Sequence, residues 1–371
     1  MLSPILRGLK CAECGAVHPP APLHYCPDDF APLEAAYERV PALPFPSEAA
    51  PTPLIDAPRL AQALGVRRAW VKDEGACQPS LSFKDRAVSQ ALAAARHFGL
   101  ARIGCSSTGN LAASVAALCA RHGMDCTVFV PDGTPTAHLS ALGARVVSVH
   151  GSYDDVNRLC NLVGLEDGWG FVNINLRAWY VEGCKAIGHE IAQHLGRLPG
   201  HVVAPMASGS LLRMIHKGMK EVFPSSEARM HGAQGDGCAP IVEALKGNAS
   251  EIVPIREPRT IARSLAVGDP GDGHAALDLI RSTGGWAEDP TDEEIIEGVR
   301  LLGRTTGLLA EPAGGAVVAA ALRLARAGRI GPEDEVVTIN PANGMKNPEF
   351  LLGYAQAPRA IPPTMEAFRR G

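Results

Sequence analysis

The sequence holds no block of Lys and Arg long enough to grip a phosphate backbone, and its formal net charge is −4. Nucleic-acid and membrane-surface roles therefore have no electrostatic support. No uninterrupted apolar run reaches bilayer-spanning length. The opening MLSPILRGLK lacks a sustained apolar stretch followed by a small-residue cleavage site, so a cytoplasmic protein is expected rather than a secreted one. Also absent are the G-x-G-x-x-G fingerprint of dinucleotide binding, the Walker A loop and the G-x-S-x-G nucleophile elbow. His189, Glu190 and His194 form H-E-x-x-x-H, one residue too long for the zincin pattern, and read as a polar helix surface. There is no fixed-period repeat and no low-complexity tract.

What is present is an ordinary globular balance, 46% hydrophobic and 20% charged, over 371 residues. That length accommodates two subdomains with sizeable cores. Most of the ten Cys, among them Cys105, Cys119, Cys126, Cys160 and Cys184, are scattered through apolar segments, as buried reduced thiols are. The segment up to Phe30 reads as a small, loop-rich appendage, and Pro41 to Pro53, with five prolines, as a linker wrapped on the surface.

After the linker an α/β rhythm sets in. Strands are predicted at Arg68–Glu74, before Ser106, at Cys126–Pro131, at 144–151 (ARVVSVHG), from His201 and at Glu335–Asn340. Between them lie helical periodicities at Ala87–His97 with Gly99 as terminator, at LAASVAALCARHG, and at SYDDVNRLCNLVG with Ser152 as N-cap. Others end near Ile191, run through SLLRMIHKGMKEVF, and open at Thr291 with a capping box to Glu294. Strand and helix alternating at this pitch predict an α/β fold with parallel sheets covered by helices on both faces.

Ligands bind in open parallel sheets where strands hand over to helices. Three polar loops fall there: Ser106–Asn110 (SSTGN), Ala207–Ser210 (ASGS) and Pro341–Lys346 (PANGMK). A fourth element, SLSFKDR, places Lys84 just before a helix. Read alone, SLSFKDR is either a helix start with a solvated Lys-Asp-Arg triplet or the home of a partly buried amine able to form a Schiff base. SSTGN is either a Ser/Thr-capped turn or a nest of donors for a carboxylate. ASGS is either a small-residue turn or a phosphate cradle at a helix N-terminus.

In this order and spacing, SLSFKDR, SSTGNLAAS, YDDVNRLC with WGFVNINLR, VVAPMASGSL and TIARSLAVGDP resemble fold-type II pyridoxal-phosphate enzymes, and within them the threonine synthase family, from about Pro51 to about Asn347. The resemblance implies two nested subdomains of tryptophan synthase β-like type. The smaller, substrate-binding one would span 81–174, the larger, cofactor-binding one 41–80 plus 175–371, and a degenerate zinc-ribbon-like segment 1–40. It implies that Lys84 carries the cofactor as a Schiff base and shuttles protons, and that Asn110 binds the cofactor's 3′ oxygen. Ser107 and Thr108 would hold the substrate carboxylate, and Ala207, Ser208, Gly209 and Ser210 the cofactor phosphate. Asn173 and Arg177 would grip an anionic group on the substrate; Arg177 read alone is equally a surface ion pair. The implied reaction turns O-phospho-L-homoserine and water into L-threonine and phosphate, and a homodimer is expected by analogy.

Two positions depart from the family pattern. Pro341 stands where a Thr or Ser hydroxyl faces the cofactor's pyridine nitrogen, and proline offers no such group. The pyridine nitrogen is then left to Asn340, Asn343, water or no partner at all. Cys11, Cys14 and Cys26 have zinc-ribbon spacing, but Asp29 occupies the fourth position, so a ribbon that has lost its metal and survives by packing is expected. The Pro341 departure keeps a second reading open, a β-replacement or elimination enzyme on a related phospho- or acetyl-amino acid, cysteate-synthase-like or from specialised metabolism. A non-catalytic binding protein that retained the fold is the third.

Overall fold

Glu335–Asn340 is buried at all six residues, as a central parallel strand with helices on both faces must be. In the computed structural model, which describes residues 1–151, 153–355 and 357–370, it sits in a six-stranded sheet. The strand order is Ala287–Glu288, Arg229–Ala233, His201–Pro205, Glu335–Asn340, Arg68–Asp73, Leu54–Asp56. All neighbours run parallel except the edge strand Leu54–Asp56, which is antiparallel to Arg68–Asp73. Chain between these strands supplies a second, four-stranded parallel sheet: Arg145–Val149, Asp125–Pro131, Arg102–Ser106 and Gly170–Phe171. A third, antiparallel sheet is the N-terminal ribbon, with Leu6–Cys11 between Val17–His18 and Leu33–Tyr37.

The helices match the sequence periodicities, starting with Lys84–His97 and Asn110–His122, and the Thr291–Glu294 capping box is formed. The cap expected at Ser152 lies outside the described residues. Helix Arg177–Leu195 is buried on nearly every face, and backbone contact explains how neighbours reach it. A Cβ on Gly183 would lie 2.2 Å from the Arg86 carbonyl oxygen, and one on Gly218 would lie 2.0 Å from that of Lys185. Helices Lys84–His97 and Ser210–Val222 therefore pack backbone to backbone against it, which only glycine at these contacts permits.

Two sequence expectations fail here. The proline-rich segment is not simply wrapped on the surface: Phe45 is buried, and its backbone N–H and carbonyl both pair with the Gln90 amide, at 3.0 and 3.1 Å. Thr52 is buried as well. Prolines exclude helix and central strand, but they do not exclude apolar side chains from being covered. Nor are His189 and Glu190 a polar surface, although His194 is exposed as expected. His189 pairs with Glu221 at 2.7 Å, Glu190 with Arg86, and His194 packs edge-on against Trp70.

His201, first in its core strand, and His231, in the middle of the neighbouring one, stack with Nδ1 of the first 2.9 Å from Nε2 of the second. The Trp286 N–H donates to His231 Nδ1 at 3.0 Å, so His231 donates from Nε2 to His201, which is left facing Asp334 through its own Nε2. Burial, with the neighbouring His201, holds His231 at about 3, below its ordinary 6.5. A group with its folded-state pKa depressed binds protons first in the unfolded chain, so stability falls as pH drops below about 6.5. Urea titrations from about pH 7 to 5 should show this loss, and His231→Gln, which keeps both hydrogen bonds without a titrating ring, should reduce it. An equal loss in both proteins would contradict the assignment.

Candidate active site

Lys84 opens its helix, and the preceding turn is held in an unusual conformation. Leu81 has φ +59°, a left-handed value costing an L-residue about 1–2 kcal/mol. Backbone bonds on either side enforce it. The Phe83 N–H donates to the Pro341 carbonyl and the Asn343 N–H to the Leu81 carbonyl, both at 3.0 Å. The same C-terminal loop is joined to 309–311, with Gly344 N–H on the Leu309 carbonyl at 2.8 Å. Segments far apart in the chain thus meet around one lysine, and Pro341 serves through its carbonyl, where a missing N–H costs nothing.

Behind Lys84, the triplet is not solvated. Asp85 is buried and accepts from the Ser80 N–H and hydroxyl, both at 2.7 Å, and from the Ser114 hydroxyl at 2.6 Å. Arg86 is fully buried between Glu74 and Glu190, each 2.6 Å away. Lys72 completes the cluster, 2.5 Å from Glu190 and 2.7 Å from the Thr52 carbonyl. Of the three charged residues, only Lys84 faces the open side. Its Nζ donates to the Tyr180 hydroxyl at 2.5 Å, and burial pushes the Tyr180 phenol well above its ordinary pKa, so it stays neutral at neutral pH.

Asn110, the first residue of its helix, donates from Nδ2 to Glu311 at 2.7 Å and accepts from Lys346 at Oδ1. Lys346 and Glu311 also pair with each other at 3.3 Å. Ser107 and Thr108 lie partly buried and exposed just before it, with the Gly109 N–H on Ser107 Oγ at 3.3 Å. The two candidates from VNINLR part company. Asn173 turns to the SSTGN loop, donating to Ser106 Oγ at 3.1 Å, while Arg177 pairs with Asp272.

Asp272 also takes hydrogen bonds from the Ser210 hydroxyl and from Arg213, the latter at 3.0 Å, and its N–H donates to the Ser208 carbonyl at 3.0 Å. Arg177 is thus no surface ion pair; with 19% side-chain exposure it borders the loop expected to hold a phosphate. In that loop Gly209 has φ +92°, and a Cβ there would lie 2.7 Å from the Ala276 Cβ. The backbone must come this close, and no side chain caps the start of helix Ser210–Val222, so its first N–H groups are available to an anion. Over the start of the Arg177 helix lies a loop of the N-terminal ribbon: Trp179 Nε1–H donates to the Ala21 carbonyl at 3.1 Å. Burial, and secondarily the charge of Arg177, lower the pKa of His24 in this loop to about 4.

The polar groups fit pyridoxal phosphate: an amine on a half-buried lysine, a glycine-dependent anion cradle, and two buried acceptors, Asn173 Oδ1 and Asn340 Oδ1, that have no partner among the described residues. Near Pro341 the side-chain donors are committed elsewhere. The Asn340 amide donates to Asp73 at 2.8 Å, and the Asn343 amide lies 3.4 Å from the Gly75 carbonyl.

Residues 47–342 match the family model described as pyridoxal-phosphate dependent enzyme. The chain is 35% identical to the threonine synthase of Methanocaldococcus jannaschii over 86% of its length and 80% of that protein. It is 33% identical to that of Methanosarcina acetivorans over the same shares. The chain belongs to the threonine synthase family of pyridoxal-phosphate-dependent enzymes. Among solved structures, threonine deaminase isoform 2 of Solanum lycopersicum superposes with a TM-score of 0.69 at 21% identity, over 83% of this chain and 84% of that one. An L-serine ammonia-lyase from Rhizomucor miehei gives 0.69 at 19%, over 84% and 100%. These neighbours establish the fold-type II architecture. The ribbon and the first part of the linker lie outside the family match.

Tyr180, Glu311, Asp272 and Arg213 are the site residues that sequence reasoning missed. Tyr180 alone had a local signal, one helical turn after Arg177. Replacing Arg86 by Met strands Glu74 in the interior. Urea unfolding should show a loss of about 3–5 kcal/mol, and a loss below about 1 kcal/mol would contradict the cluster's structural weight.

Proposed function

We propose that this pyridoxal-phosphate-dependent lyase converts O-phospho-L-homoserine and water to L-threonine and phosphate. The observation that carries the reading is Arg177, whose guanidinium stands at the Ser210 loop and is kept from the surface by Asp272. It supplies a second anion-binding group beside the cradle of a first phosphate, as a phosphorylated substrate needs. Relatives named threonine synthase at 30–35% identity support threonine as the product.

When bound, pyridoxal phosphate supplies the electron sink for charge developing on substrate carbons. The rest is the work of the chain. Lys84 Nζ holds and returns protons at neighbouring carbons, and the neutral Tyr180 hydroxyl receives its N–H and fixes its direction. Asn110, gripped by Glu311 and Lys346, orients the ring oxygen, while Ala207, Ser208, Gly209 and Ser210 hold the cofactor phosphate. Ser107 and Thr108 present hydroxyls to the substrate carboxylate, and Asn173, anchored on Ser106, lines the same side. We assign 81–174 to the substrate-binding subdomain and 41–80 with 175–371 to the cofactor-binding one. Pro341 provides no hydroxyl to the pyridine nitrogen, and that observation favours the second reading, β-replacement or elimination on a related amino acid.

Incubated with O-phospho-L-homoserine, the purified holoenzyme should release phosphate and form threonine in equal amounts. Lys84→Ala should lower turnover by about 10²–10⁴-fold. Phosphate from O-phospho-L-serine but none from O-phospho-L-homoserine would replace this reading with the second.

A further inference from the structure

The N-terminal ribbon contains two turns built alike. In the first, the Cys11 N–H donates to the Ala16 carbonyl at 2.8 Å; in the second, the Cys26 N–H donates to the Ala31 carbonyl at 2.9 Å. Each spans six residues, and the fifth residue of each turn has a left-handed backbone, Gly15 at φ +73° and Phe30 at φ +60°. The first turn reads Cys-x-x-Cys-Gly and the second Cys-x-x-Asp-Phe, so Asp29 stands in the second turn where Cys14 stands in the first. Phe30 is informative because it is 77% exposed. Its side chain gains little by burial to offset the roughly 1–2 kcal/mol of a left-handed L-residue, so something other than packing holds this turn.

The heads of both turns converge. Cys11 Sγ lies 3.3 Å from both Asp29 carboxylate oxygens, Cys14 Sγ lies 3.9 Å from Cys26 Sγ, and ligand atoms of all four residues fall within 4.8 Å of one another. A tetrahedral zinc ion, with Zn–S about 2.3 Å and Zn–O about 2.0 Å, sets sulfurs about 3.8 Å apart and sulfur to oxygen about 3.5 Å. The observed spacings are close to these. A disulfide between Cys14 and Cys26 would instead need sulfurs about 2.05 Å apart. Backbone donors already serve the ligand atoms: the Glu13 N–H points at Cys11 Sγ at 3.4 Å and the Ala31 N–H at Asp29 Oδ1 at 2.9 Å.

We propose that Cys11, Cys14, Cys26 and Asp29 bind one zinc ion that locks the ribbon. This replaces the expectation of a ribbon held by packing alone. Three thiolates and a carboxylate give the same net charge as four thiolates, an ordinary structural zinc environment. His18 Nε2 lies 3.2 Å from Cys26 Sγ and 3.9 Å from Asp28. Since it belongs to neither turn, it acts from outside as an N–H donor to the Cys26 thiolate. The locked ribbon carries Glu34, whose carboxylate pairs with Arg213 and, at 2.9 Å, with Lys217. Metal at the ribbon tip therefore fixes a strand that leans on the helix of the phosphate loop.

The test is elemental analysis of the full-length protein, equilibrated with zinc and freed of loose metal. About one zinc per chain is expected, and cobalt(II) in its place should give the intense visible bands of a tetrahedral thiolate site. Cys14→Ser and Asp29→Ala should each weaken zinc binding at least about tenfold in chelator competition, Asp29→Cys should retain it, and His18→Ala should leave stoichiometry at one. Wild-type protein with less than about 0.1 zinc per chain, or a Cys14–Cys26 disulfide on mass analysis, overturns the proposal whatever the variants do. Zinc retained by Asp29→Ala and lost by His18→Ala overturns the ligand set.

Discussion

The Arg86 guanidinium lies between the carboxylates of Glu74 and Glu190 with its side chain only 1% exposed. With Lys72 the group balances two positive against two negative charges; the Thr52 hydroxyl accepts from Arg86 and donates to Glu74, and its carbonyl accepts from Lys72. Desolvating such a cluster is costly, and it is repaid only when nearly every donor finds an acceptor in good geometry. That condition ties together the 84–97 helix, a central strand of the six-stranded sheet, the 177–195 helix and the proline-rich segment. Lys84 is two residues from this anchor, so its direction follows from the geometry at Arg86.

A second polar chain runs along the other side of the site. Asp272 joins Ser210, Arg177 and Arg213; Arg213 joins Glu34; Glu34 joins Lys217, which reaches Glu182 at 2.6 Å. Tyr37 of the ribbon donates to the same Glu182 at 2.9 Å. Positive charge beside the 207–210 loop is thereby held in place, so an anion bound there would require little reorganisation. The ribbon, outside the family match, is part of that arrangement through Glu34, Tyr37 and the Ala21 carbonyl.

Much of this was legible in the sequence because the signals were local. The strands Glu335–Asn340 and His201–Pro205 announced themselves as apolar runs, and the Thr291 cap by its spacing to Glu294. Lys84, Asn110 and the Ser210 loop stood at strand-to-helix junctions. What escaped depends on distant chain segments. Nothing near Asp85 and Arg86 says that their partners are Ser114 and Glu190, so a solvated triplet stayed open as one of two readings. Glu311 reaches Asn110 across 201 residues, and Asp272 gathers side chains from two other helices. Thr52 and Phe45 were hidden among prolines, which mark backbone geometry and not burial.

The proposed role of Lys84, turned to the open side while Asp85 and Arg86 are buried behind it, is to carry the cofactor. Borohydride reduction of the yellow holoenzyme, followed by peptide mapping, tests it most directly. The fixed cofactor should be found on the peptide containing Lys84. Label on Lys346, which stands by Asn110 and Glu311, or a protein that takes up no pyridoxal phosphate, would contradict it.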